Sequence, residues 1–143
     1  MRGEGALRLF VATPHPIVCY AVKKWVEDHS CGCWIAQAGS LAGAISALRE
    51  TDIDLALVDA EFGPYAMERI VQEAVAANVR RTIVLTATPD SSDYRRALQT
   101  GADRAVCKRG SIDAVARAIA RTCYELKRTS GRAGPSVGII VPH

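Results

Sequence analysis

The segment Leu55-Ala56-Leu57-Val58-Asp59 is an apolar run that ends in a carboxylate. An uninterrupted run of this length suits a strand buried on both faces, as in a parallel sheet covered by helices. Such a strand delivers Asp59 to the carboxyl edge of the sheet, where open α/β folds place ligands and chemistry. Two other runs end in a polar group: Thr82-Ile83-Val84-Leu85-Thr86 and Arg104-Ala105-Val106-Cys107-Lys108. A shared register brings a carboxylate, a hydroxyl and an ammonium to one edge.

The rest of the chain alternates in the same rhythm. Leu7 to Ala12 reads as a first strand, and Pro16 suits the first turn of a helix, where its missing N–H costs nothing. Ile17, Tyr20, Ala21, Lys24 and Trp25 then follow helical spacing to about Asp28, and Ser30-Cys31-Gly32 breaks the helix. Trp34 to Ala38 is a second strand. Ser40 fits an N-cap for Leu41 to Arg49, with Ala44, Ile45 and Leu48 on one face. After the strand ending at Asp59, Gly63-Pro64 punctuates a loop. Tyr65 to Ala77 then carries Met67, Ile70, Val71 and Ala74 at helical spacing. Pro89-Asp90-Ser91 opens a helix that Gly101 ends. Ser111 is placed to cap a last helix to about Lys127, with Val115, Ala118, Ile119 and Cys123 inward. Five strand–helix alternations predict an α/β fold, a doubly wound five-stranded parallel sheet with helices on both faces and flavodoxin-like strand order 2-1-3-4-5. Residues 1–127 form the expected domain. Residues 128–143 have the composition of a linker or tail, apart from the apolar stretch Val137 to Val141.

The length of 143 residues fits one domain with a full core. No apolar run approaches the roughly 18 residues of a membrane span, and Met1 to Gly5 lacks an apolar signal core. The expected location is therefore cytoplasmic. Five cysteines fit reduced thiols, since only Cys31 and Cys33 are close and His29 is the sole further metal donor nearby. Charge is uneven: residues 1–76 hold 6 basic and 10 acidic side chains, and residues 77–143 hold 12 basic and 5 acidic ones. That asymmetry suits either a solvated basic face or an acidic partner.

In this order the motifs resemble the receiver domain of bacterial response regulators, most closely the kind that precedes a helix-turn-helix output domain. The resemblance covers Leu7 to Tyr124. Val11 to Val18 matches the first strand and loop, Asp59 falls at the phosphoacceptor position, Thr86-Ala87 matches the switch hydroxyl and its small neighbour, and Gly101-Ala102-Asp103 with Lys108 matches the last motif. The resemblance implies a carboxylate that attacks a phosphoryl group, with Mg²⁺ offsetting the repulsion between two anions. It also implies an ammonium and a hydroxyl on the phosphoryl oxygens.

The chain departs from the family in two places. Thr13 and Pro14 stand where typical members carry the acidic pair that holds Mg²⁺. Glu61, two positions past Asp59, is a weak candidate to compensate; the alternative is a loop residue facing water. Ala105 replaces the Tyr or Phe whose ring moves with the switch hydroxyl. The expectation is a pseudo-receiver with Mg²⁺ binding weak or absent, an Asp59–Lys108 ion pair, and no enzymatic role. It would act in signal transduction as a regulator of a DNA-binding output outside this chain. The partners implied are a second copy of the chain and a histidine kinase or other regulatory protein, with no membrane. The region bearing Arg95, Arg96, Arg104, Arg109, Arg117 and Arg121 is the expected association surface. Two alternatives stay open: a working phosphoacceptor switch at Asp59, and a small-molecule sensor using the space beside Thr13 and Pro14. His15 could carry phosphate or bind metal, but the resemblance makes it a loop feature. Trp25 and Trp34 fit packing better than a ligand platform, and Gly39 to Gly43 lacks the spacing of a phosphate loop.

Overall fold

The computed structural model describes residues 7–29, 33–88, 92–109 and 112–133. Five strands, β1 (Leu7–Ala12), β2 (Cys33–Ala38), β3 (Leu55–Asp59), β4 (Arg81–Thr86) and β5 (Arg104–Cys107), pair in parallel in the order β2-β1-β3-β4-β5. The helices are α1 (Pro16–Asp28), α2 (Leu41–Glu50), α3 (Pro64–Ala76), α4 (Ser92–Thr100) and α5 (Asp113–Ala133). A 3-10 turn, Ala60–Phe62, follows β3.

The period-two alternation of each strand sorts the core into two layers. Phe10, Ala12, Ala56, Val58 and Val84 pack with Ala44, Leu48, Met67, Ile70, Val71 and Ala97 from α2, α3 and α4. Leu7, Leu9, Val11, Leu55, Leu57, Ile83 and Leu85 pack with Cys19, Val22, Val26, Val115, Ile119 and Leu126 from α1 and α5. Every residue of β3 is buried, which is why that segment reads as an unbroken apolar run. Each large side chain so covered contributes roughly 1.5–3 kcal/mol.

Polar groups set the register along the amino edge of the sheet. At the amino edge, buried Asp54 accepts from the Arg8 N–H at 2.9 Å. At the other end of that edge, Asp103 Oδ2 accepts from the Thr82 N–H at 2.8 Å. Gly101 ends α4 at φ +129°, where a side chain would be strained. Ser40 caps α2 by accepting from the Gly43 N–H at 3.0 Å. The expected inner stripe of α3 is buried at all four positions.

Two local expectations are corrected. On α1 the helical period is right but its phase is not: Ile17 and Tyr20 are exposed, and Cys19, Val22 and Val26 face the sheet. Apolar residues occur on two sides of this helix, so spacing alone could not choose the face. The last helix runs to Ala133 rather than to about Lys127. The low helix propensity of Thr129, Ser130 and Gly131 is overridden by propagation of a helix already formed. The breaker Ser30-Cys31-Gly32, the opener Pro89-Asp90-Ser91, the cap Ser111, the first five residues and the tail 134–143 lie outside the described residues.

Candidate functional site

Asp59, Thr86 and Lys108 stand at the carboxyl ends of β3, β4 and β5, or one residue beyond. Asp59 is wholly buried, held there by the apolar strand behind it. Its Oδ2 accepts from Thr13 Oγ1 at 2.6 Å and from Lys108 Nζ at 2.7 Å. Its Oδ1 accepts from the Glu61 N–H at 3.0 Å, which starts the 3-10 turn. Three of the roughly four acceptor sites of this carboxylate are therefore used inside the protein.

Thr13 is also buried, and it is consumed on both sides. Its hydroxyl donates to Asp59 and accepts from the His15 N–H at 3.1 Å. Pro14 is exposed and brings no polar side-chain atom. Lys108 is positioned by its own backbone, whose N–H donates to the Thr86 carbonyl at 2.9 Å. From there Nζ bridges two carboxylates, Asp59 at 2.7 Å and Glu61 Oε2 at 2.8 Å. Glu61 Oε1 in turn lies 2.9 Å from His15 Nε2. The hydrogen bond from Lys108, then that from His15, holds the Glu61 carboxyl below the ordinary glutamate range.

The chain of contacts thus runs Thr13–Asp59–Lys108–Glu61–His15 and ties the loop after β1 to the turn after β3 and the end of β5. Glu61 and His15, weak candidates by sequence, are members of it. Thr86 is buried beside this network, but its hydroxyl donates to the Thr88 carbonyl at 3.1 Å, within its own loop. Trp25 is half-buried against the α1–α5 layer and stacks on His29 with ring centroids 4.4 Å apart. The side chain of Trp34 lies outside the described residues.

A hard dication of the Mg²⁺ type takes an octahedral set of oxygens, commonly one or two carboxylates with water and phosphate. Here the wholly buried carboxylate of Asp59 is already paired with an ammonium, and the residue before Pro14 offers a neutral hydroxyl with its proton committed. This donor set does not fit such an ion well. Asp59 keeps one acceptor site for an electrophile. The cluster Asp59, Glu61 and Lys108 holds two carboxylates against one ammonium.

A cavity of about 540 Å³ opens beside this network, lined by Thr13, Pro14, Tyr20, Lys23 and Gln37 among others. A second, of about 720 Å³, lies between α4 and α5 above Ala105. Among the described residues, no helix is long and apolar enough to cross a membrane.

No protein-family model matches the sequence, and no curated protein does so significantly. Solved structures do match. The signal receiver domain of a Luxo repressor protein from Vibrio parahaemolyticus superposes with TM-score 0.75 at 16% identity, covering 90% of this chain and 98% of that one. A CheY-like response regulator receiver domain protein from Methanospirillum hungatei gives 0.73 at 15%, covering 86% and 98%. A response regulator from Thermotoga maritima gives 0.71 at 21%, covering 83% and 98%. Five parallel strands in the order 2-1-3-4-5, helices on both faces and these superpositions give the chain the fold of response regulator receiver domains.

Proposed function

We propose that this chain is an atypical receiver-like signal-transduction module whose acceptor position is held by a fixed ion pair rather than by a phosphorylation switch. The observation that carries this reading is Lys108 Nζ at 2.7 Å from the buried Asp59 oxygen that Thr13 also engages. The ammonium supplies internally the positive charge that a metal would otherwise bring. Mg²⁺ binding is weak or absent, and phosphoryl transfer to Asp59 is slow or absent. The module works in the cytoplasm by protein contact, as a homodimer or with a kinase or another regulator. It controls a DNA-binding transcriptional output reached through the segment after Leu126 or through a partner chain, and it has no enzymatic role of its own.

Intact mass after incubation with acetyl phosphate and Mg²⁺ tests this reading. The expected result is an unchanged mass. Rapid, Mg²⁺-dependent gain of one phosphoryl group at Asp59 would overturn it and restore the working phosphoacceptor switch.

One observation favours a second reading, that of a small-molecule sensor. The cavity beside Thr13 and Pro14 is within the size range of ligand sites, roughly 300–1,000 Å³. A metabolite screen by thermal shift separates the two, since a sensor gains stability from its ligand with no change in mass.

A further inference from the structure

The outer face of α5 carries a stripe that the acceptor site does not use. Arg117, Arg121, Tyr124 and Arg128 are all exposed. At 3.6 residues per turn they fall within about 60° of one another and span about 16 Å of helix axis. Arg128 lies over the Tyr124 ring, 5.8 Å from its centroid, and Tyr124 is 64% exposed. Two acidic residues border the stripe: Glu125 pairs with Arg104 at 3.1 Å and approaches Arg121 at 3.9 Å, and Asp113 stands one turn before Arg117. Alongside runs the α4–α5 cavity, walled by Arg117 and Arg121 on one side and by Tyr94 and Leu98 on the other. Ala105 forms part of its lining.

We infer that this face binds single-stranded nucleic acid through its backbone and unpaired bases. Arginines at helical spacing offer guanidinium groups to successive phosphates. The exposed rings of Tyr124, between the arginines, and of Tyr94, across the groove, give planar faces on which unpaired bases stack. A duplex would hide its bases and leave the tyrosines without a role. A membrane surface would use the charge but not the open groove, and an acidic peptide would not need the exposed rings of Tyr124 and Tyr94. The inference rests on α5 and α4 alone and stands or falls independently of what happens at Asp59.

The test is fluorescence anisotropy of a labelled oligothymidylate of about 15 nucleotides with the full chain. With three phosphate contacts, affinity should fall about twentyfold between 50 and 200 mM salt. Arg117→Ala with Arg121→Ala should weaken binding at least about tenfold and flatten the salt slope. Tyr124→Ala should weaken it about fivefold to tenfold, with the slope unchanged. Arg49→Ala with Arg69→Ala, the same charge change on α2 and α3, should alter it less than about threefold. Circular dichroism melting verifies that each variant is folded. No binding at 50 mM salt, equal loss in both double variants, or a duplex bound as tightly as the single strand overturns the inference. So does binding to phosphatidylserine vesicles or self-association through the same arginines without oligonucleotide binding.

Discussion

Thr13, on the loop after β1, and Asp59, at the end of β3, share a 2.6 Å hydrogen bond buried from solvent. Removing the donor leaves a buried carboxylate oxygen with one partner fewer. Thr13→Val should therefore cost about 1–3 kcal/mol in urea unfolding. Thr13→Ser keeps the hydroxyl and should recover most of that loss. Equal destabilisation by both would mean that the methyl group, not the hydrogen bond, matters.

The Asp59–Lys108 pair should behave as a unit. Lys108→Met alone strands a wholly buried carboxylate and should cost about 3 kcal/mol. Asp59→Asn with Lys108→Met removes both charges and should be far less destabilising than the sum of the single changes. A double-mutant cycle by chemical denaturation reads this directly. Simple additivity would argue that the two groups do not interact in solution.

Glu61 gives a pH signature. Its carboxyl is held below the ordinary value by Lys108 and then by His15, so the folded state favours the ionised form. That contribution is complete above the unfolded value of about 4.3 and is lost as pH falls through the lower folded value. Melting temperatures of the native chain and of Glu61→Gln should differ most above about pH 5 and converge toward acid. The gap should be modest, because the Glu61 side chain is 39% exposed, and should shrink in high salt. A gap that widens toward acid would contradict the assignment.

Installing an acidic pair tests the proposal that this site binds Mg²⁺ weakly. Thr13→Asp with Pro14→Asp places new carboxylates beside Asp59 and should lower the melting temperature without metal by like-charge repulsion. Millimolar Mg²⁺ should recover the loss, and calorimetric titration should show binding stronger than in the native chain. Reactivity toward acetyl phosphate should rise in parallel. Destabilisation that Mg²⁺ does not relieve would mean that the loop cannot bring the new groups to the ion.

The fold was legible because each strand announces itself in short range. The continuous apolar character of Leu55 to Val58 follows from burial on both faces, and the stripe Met67, Ile70, Val71 and Ala74 has a single apolar side. Where a helix offers two apolar sides, as α1 does, the choice depends on what the sheet presents, and Ile17 and Tyr20 were misleading. The positions of Asp59 and Lys108 followed from strand ends. The reach of Lys108 to Glu61, and of Glu61 to His15, did not, because it depends on rotamers spanning three loops. Thr86 shows the same limit: its strand end is where spacing places it, but its hydroxyl turns to Thr88.

The sheet is also a partition. Its even residues on β3, Ala56 and Val58, belong to one apolar layer, and its odd ones, Leu55 and Leu57, to the other. Damage on one side reaches the other only through backbone that five parallel strands hold stiff. Truncations at Met67 and at Leu126 should thus add, each felt in its own compartment, while a single lesion in β3 is felt in both.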